Sequence, residues 1–377
     1  MRLNAHIQKT LREANGKTMG ISLLLEKRVK VEGVLVDLAQ LVTVKALAQQ
    51  LLQRGQKLDA VVWNAGIGGW TSTNWPRAIW TLLTDILQAS TWPTYQNSEV
   101  GSLAKQKGLV ASKEISPAPP ALGQVFAANV FGHYMLTHWL SPLFDSDSRI
   151  VWVGSITALP HFFSLSDIQC LRAHDAYESS KRLTDLLVLT SDLPSTRSYT
   201  QKFFSTPAST PSTPPKMYVT HPGILATSIA SVFWLLEPFM IAFFYLARWL
   251  GSPWHTVTAY KAAVSPCFCV LAPAAQLEDL EARDGKGKWG SAINAAGDER
   301  VARTETEGWG WSGMVGETPS GSVTGSLGRW RGMKVTGKEE RENFEADGRE
   351  AWKQMEALRF EWEARLGSVG QEVSEDL

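Results

Sequence analysis

Leu58-Asp59-Ala60-Val61-Val62-Trp63-Asn64-Ala65-Gly66 is the stretch whose reading decides the fold. An apolar run that ends in a polar, Gly-containing turn reads as a buried parallel strand opening into a loop at its carboxyl end. Two further runs repeat the pattern. Arg149-Ile150-Val151-Trp152-Val153-Gly154-Ser155 ends on a serine, and Met217-Tyr218-Val219-Thr220-His221 is broken by Pro222-Gly223. Between them, Val125 to His133 carries apolar residues at the three- and four-residue spacing of a helix, with Asn129 inside it. Strands alternating with helices predict an α/β domain with a parallel sheet.

The helix between the second and third runs holds Tyr177-Glu178-Ser179-Ser180-Lys181. Four residues apart, the Tyr hydroxyl and the Lys ammonium share one helix face. A cation there favours the phenolate and is expected to lower a phenol pKa that otherwise lies near 10. Such a Tyr can exchange protons near neutral pH. Alone, this pair is common on surface helices; it gains meaning from Asn64-Ala65-Gly66, Asn129, Ser155 and Pro222-Gly223 around it.

In that order the motifs resemble the short-chain dehydrogenase/reductase family. Asn64-Ala65-Gly66-Ile67-Gly68-Gly69-Trp70, Asn129-Val130-Phe131-Gly132-His133-Tyr134, Ala176 to Lys181 and His221-Pro222-Gly223-Ile224 are similar to its fungal 3-keto-steroid reductase branch of ergosterol synthesis. So is the long stretch of 22 residues from Ser155 to Tyr177, with Leu165-Ser166-Asp167-Ile168-Gln169 in it. The resemblance covers about residues 30 to 310. It implies a Rossmann-like, doubly wound parallel sheet and NADPH-dependent reduction of a 3-keto sterol to the 3-hydroxy sterol. In that scheme Tyr177 donates the proton to the substrate oxygen and Ser155 hydrogen-bonds the same oxygen. Lys181 lowers the Tyr177 pKa and binds the nicotinamide ribose, and Asn129 holds a water that links Lys181 to solvent. Asn64, Ala65 and Gly66 line the adenosine side of the cofactor, and Pro222-Gly223 the nicotinamide side. Val34-Leu35-Val36-Asp37-Leu38 resembles the family's third strand, whose terminal Asp37 contacts adenine; Asp37 also reads as a cap on the helix from Leu41 to Gln53.

The family opens on T-G-x-x-x-G-x-G, whose backbone N–H groups meet the pyrophosphate. That motif does not occur in this sequence. Aligned by its other motifs, the chain is expected to begin near the end of the family's second strand, with Arg2 at the basic position that selects a 2′-phosphate. The sheet is therefore expected to be N-terminally incomplete, with the 58–63 strand at or near an edge, and NADPH binding to be weak. Two functions stay open: a reductase, or a truncated, non-catalytic relative that serves as a binding or scaffold subunit of a sterol-demethylation complex.

Composition fits one α/β domain of about 250–300 residues with appendages. There are 37 basic and 37 acidic residues, so no electrostatic footprint for nucleic acid. Cys170, Cys267 and Cys269 lack the spacing of a disulfide framework or zinc site, and no metal site is expected. No signal peptide is visible; residues 4–14 read as an amphipathic helix. The reductase domain spans 1–310, with insertions at 71–120, irregular and rich in Ser, Thr and Pro, and at 192–216, low-complexity around residues 205–215. Residues 311–337 read as a flexible Gly/Ser-rich linker. Residues 338–367 read as a charged amphipathic helix docking Trp352, Met355, Leu358, Trp362 and Leu366, and 368–377 as a tail.

Ile229 to Leu250 is nearly continuous in apolar residues, interrupted by Glu237-Pro238 and closed by Arg248-Trp249. A mid-span charge costs about 2.5–3.5 kcal/mol on insertion. The first reading is a hydrophobic lid helix lying in a membrane surface, the second a transmembrane helix, the third a core helix. An endoplasmic-reticulum membrane or lipid droplet, approached from the cytosolic face, is the expected location, with other sterol-demethylation enzymes as candidate partners.

Overall fold

The computed structural model describes residues 30–107, 122–206, 213–227 and 237–372, with side chains to 366. The helix expected at 4–14, Arg2, the centre of the proline-rich loop, residues 229–236 and the end of the tail lie outside these. Residues 30–36 carry no regular structure, so the strand expected at 34–37 is not formed. The remainder, from Asp37, is one compact unit.

Its centre is a five-stranded sheet of β1 (Ala60–Trp63), β4 (Arg149–Val153), β5 (Lys216–His221), β6 (Lys288–Ile293) and β7 (Glu299–Thr304), in that spatial order. The first four are parallel, in register through Val62↔Val151, Trp152↔Val219 and Val219↔Lys288, and β7 closes the far edge antiparallel to β6. Among the described residues β1 pairs with β4 alone, so the 58–63 strand lies at a sheet edge, as its motif order predicts. Val62, which lines the cavity described below, is 41% exposed, whereas Ile150 and Val151 on β4 are fully buried.

Side chains alternate across the sheet, which sends neighbours to opposite layers. Val151 packs with Tyr218, Trp289, Cys269 and Leu277, under α10 (Val264–Leu271) and α11 (Ala274–Asp284). Trp152 faces the other way, edge-on to His133 at 6.0 Å. That second layer holds α1 (Leu41–Arg54), α5 (Gly132–Trp139) and α6 (Ala176–Thr190). Helices on both faces of a mostly parallel sheet make the fold Rossmann-like and doubly wound.

The insertion at 71–120 holds more structure than its composition suggests. β2 (Trp70–Thr73) pairs antiparallel with β3 (Gln96–Ser98), and between them lie α2 (Trp75–Thr84) and α3 (Ile86–Thr91). Asn74 and Asp85 start those two helices by accepting from Arg77 N and Gln88 N. Residues 311–337, expected to be a flexible linker, are packed: Val323 and Trp254 share one apolar cluster against which Trp330 and Met333 lie, and Trp254 Nε1 donates to Gly328 O at 3.0 Å.

The C-terminal α12 (Lys338–Glu372) lies along α6 and α7 (Arg197–Phe204). Trp352, Met355, Trp362 and Leu366 are buried. A buried polar network joins it to α5: Tyr134 Oη donates to Glu356 at 2.7 Å, and Arg359 binds Glu356 and Glu363 at 2.7 and 2.6 Å. The apolar segment near 229–250 gives α8 (Glu237–Trp249), with Phe239, Phe243, Leu246 and Trp249 exposed, and the short α9 (Ala259–Ala262) leads from it to α10. No described helix is long and apolar enough to cross a membrane.

Candidate active site

Ser155 follows the last residue of β4 by two, and Tyr177 stands in the first turn of α6. The strand end and helix start bring them together: the Ser155 hydroxyl lies near enough to the Tyr177 phenol to oppose the rise of its pKa. Ser155 Oγ is also held by Thr157, whose N–H donates to it at 3.2 Å and whose hydroxyl lies 2.9 Å away. Trp70, on β2, backs the Tyr177 ring with centroids 4.9 Å apart.

Lys181 lies one turn along the same face, its Nζ 5.5 Å from the centre of the Tyr177 ring. That ammonium donates to Val153 O at 2.7 Å and is buried. Burial, with Lys288 nearby, lowers its pKa to about 8, and Asp185 acts against the shift. For Tyr177 the expectation drawn from spacing needs correction. Desolvation pushes the phenol up to about 12, and the neighbouring Ser155 hydroxyl pulls the other way. The physical reason is direction: Lys181 spends its hydrogen bond on a strand carbonyl and stands off the phenol. Tyr177 is thus held protonated, the state of a proton donor.

Asn129 sits in a π turn, Ala127–Phe131, between the short α4 (Gln124–Phe126) and α5. Such turns interrupt regular helices frequently at functional sites. Its side chain clasps the loop after β1: Ile67 N–H donates to Oδ1 at 2.7 Å, and Nδ2 donates to Ile67 O at 2.9 Å and to Ser180 Oγ at 3.1 Å. The side chain is therefore committed to this loop and to Ser180. Gly66 makes the clasp possible, since a Cβ there would stand 2.8 Å from Asn129 Oδ1.

A cavity of about 830 Å³ opens at the carboxyl ends of β1, β4 and β5. It gathers Asn64, Ala65, Gly66, Tyr177, Lys181 and Pro222 along one lining, with apolar residues of α10 opposite. Gly223 supports this wall from behind: its φ of 73° suits glycine, and a Cβ would meet Trp254 O at 2.3 Å. Asp37 is not among the lining residues. It is exposed, and its carboxylate accepts from Ala39 N at 3.0 Å in the turn before α1, whose N-cap is Gln40. Because 34–37 forms no strand, Asp37 does not stand at a strand end facing the cavity.

Thr157, Trp70, Asp185 and Lys288 belong to the site and were not singled out from sequence. Asp185 carried a signal, being a lone acid in the apolar run Leu183-Thr184-Asp185-Leu186-Leu187, four residues beyond Lys181.

A strand-end Ser against a Tyr, with a Lys one turn on, at the carboxyl edge of a parallel sheet, defines a short-chain dehydrogenase/reductase. No protein-family model matches the chain. Curated relatives do. The chain is 43% identical over 353 residues to 3-keto-steroid reductase erg27 of Aspergillus fumigatus, covering 88% of this chain and 77% of that protein. It is 37% identical over 378 residues to 3-keto-steroid reductase ERG27 of Gibberella zeae, covering 90% and 78%. With 3-keto-steroid reductase erg27 of Schizosaccharomyces pombe the identity is 31% over 288 residues, covering 75% and 73%. The chain belongs to the 3-keto-steroid reductases, an enzyme branch of the short-chain dehydrogenase/reductase family. Reductases of this kind work with a nicotinamide cofactor.

Proposed function

We propose that the chain reduces a 3-keto sterol to the 3-hydroxy sterol in ergosterol synthesis, with NADPH as cofactor and Tyr177 as proton donor. The observation that carries this reading is the placement of Tyr177, beside Ser155 and with its phenol pushed up to about 12, on the rim of a cavity that also holds Lys181 and Pro222. The residues fit a nicotinamide: Lys181 would hold its ribose, Pro222 and the Gly223 turn its ring side, and Asn64 to Gly66 the adenosine side. When bound, NADPH supplies the hydride. The chain supplies the rest. Ser155 orients the ketone oxygen, and Tyr177 gives its proton to that oxygen as negative charge develops. Lys181 keeps a positive charge within reach of that oxygen.

The reading extends to a membrane surface. α8 follows the cavity wall at Leu225 and Thr227, and turns Phe239, Phe243, Leu246 and Trp249 outward. Arg248 is turned inward instead, donating to His255 O and Thr256 O. An apolar face with an aromatic at its end suits the lipid interface. It would bring the site to a sterol at the endoplasmic reticulum or a lipid droplet, on the cytosolic face, beside other sterol-demethylation enzymes.

The test is reduction of a 3-keto sterol by the purified chain at millimolar NADPH. Turnover supports the reading. No turnover, with NADPH bound, favours the non-catalytic alternative.

A further inference from the structure

We propose that Lys288 is a positioning residue for the reductase site: it fixes the strand end that carries Ser155 against the helix that carries Tyr177 and Lys181. This rests on the reductase reading above and assigns that site a residue two strands away.

Lys288 begins β6, in register with Val219 of β5, and so reaches across β5 toward the end of β4. Its Nζ donates to the main-chain carbonyl of Ser155 at 2.6 Å and to Asp185 Oδ2 at 2.6 Å. Both side chains are buried, Lys288 to 3% exposure and Asp185 to 0%. Asp185 stands on α6, four residues beyond Lys181 and eight beyond Tyr177, on the helix face of both. A single ammonium thereby joins the backbone of Ser155 to the helix that carries the proton donor.

The grip is part of a set. Three consecutive residues at the end of β4 are each held by a different element. Val153 O accepts from Lys181 on α6 at 2.7 Å, Gly154 N donates to Thr220 O on β5 at 2.7 Å, and Ser155 O accepts from Lys288 on β6. Gly154 leaves room for the arrangement, since a Cβ there would stand 3.2 Å from Asp185 Oδ1. Thr157 then orients the Ser155 hydroxyl from the following turn. Remove the Lys288 contact and the middle of this set remains, but the residue whose hydroxyl meets Tyr177 loses its anchor.

Stability alone is a poor reason for such a pair. Two buried charges cost desolvation that their attraction barely offsets, and a well-packed apolar pair is often as stable. An apolar pair could not hold the Ser155 carbonyl. Lys288 Nζ is spent on the Ser155 carbonyl and the Asp185 carboxylate, so it acts through the strand end and not on the substrate. Misplacement of a catalytic group by about 1 Å costs on the order of 10²-fold in rate.

The test uses the full chain and its Lys288→Met, Lys288→Arg and Lys288→Met/Asp185→Asn variants. Each is assayed for ketone reduction at millimolar NADPH and for backbone hydrogen exchange over residues 153–157. In Lys288→Met, kcat is expected to fall roughly 10- to 100-fold with KM for the ketone little changed. Exchange at 153–157 should speed up, and Lys288→Arg should restore most of both. The double variant covers the chance that Lys288→Met alone fails to fold, because it removes the uncompensated buried carboxylate. It should stay slow, with exchange still fast. Wild-type kcat in the double variant, or unchanged exchange at 153–157 in a folded variant lacking the ammonium, overturns the proposal. A wild-type chain that reduces no ketone defeats the reductase reading by itself, and the exchange measurement still decides the role of Lys288.

Discussion

Replacing Trp352 by Ala tests whether the C-terminal helix is an integral wall of the catalytic layer. Trp352 is 1% exposed, with its ring 5.5 Å from Phe203 and 5.9 Å from Tyr134, and its Nε1 donates to Leu187 O on α6 at 3.0 Å. The space among Tyr134, Trp152, Leu187, Phe203, Met217 and Trp352 is only about 10 Å³, so the pocket starts out filled and has little slack for collapse around a truncated side chain. Trp→Ala at such a site costs about 3–5 kcal/mol. Against a typical total of about 5–15 kcal/mol that is roughly a fifth or more of the stability. At about 2 °C per kcal/mol for a chain this large, the melting temperature should fall by roughly 6–10 °C. Trp352→Phe keeps most of the ring and loses the N–H donor, for a smaller loss of about 1–2 kcal/mol. Urea titration followed by circular dichroism, with the slope unchanged, measures both. A Trp352→Ala midpoint equivalent to a loss under about 1 kcal/mol would refute the claim that α12 shares the core of α6.

Further expectations concern the site and its surroundings. Reduction needs protonated Tyr177, which at about 12 stays so throughout the working range, and charged Lys181, at about 8. The rate at saturating ketone should therefore hold from neutral pH upward and decline as pH rises through about 8; a profile flat to pH ~10, where an unperturbed Lys is still charged, would contradict this. Phe239→Ser with Phe243→Ser on α8 should move much of the protein from the membrane to the soluble fraction, and unchanged fractionation would place the anchor elsewhere.

What could be read from sequence was whatever depends on neighbours along the chain. The runs ending at Trp63, Val153 and His221 announced three parallel strands, and the four-residue step from Tyr177 to Lys181 put both on one face. The spacing of Trp352, Met355, Leu358, Trp362 and Leu366 named a stripe for the same reason, and all of it is buried but Leu358, which is half-buried. Direction and distance were not legible. Nothing in the spacing says that the Lys181 ammonium turns to Val153 O, so the sign of the Tyr177 shift was misjudged. Glycine and serine between 311 and 337 obscured apolar anchors such as Val323, Trp330 and Met333, which pack because the glycines let the chain turn tightly. Val34 to Asp37 has the composition of a strand, yet a strand needs a partner to pair with. Asp185 and Lys288 are 103 residues apart and meet only in the fold.

The measurement that bears most directly on the central claim is the turnover of a 3-keto sterol by the purified chain and by Tyr177→Phe, at millimolar NADPH and near pH 7. The wild-type chain should form the 3-hydroxy sterol. Tyr177→Phe, which keeps the ring against Trp70 and loses only the hydroxyl, should bind the cofactor nearly as well and turn over at least ~10²-fold more slowly. Equal turnover by the two proteins would contradict the assignment of Tyr177 as the proton donor.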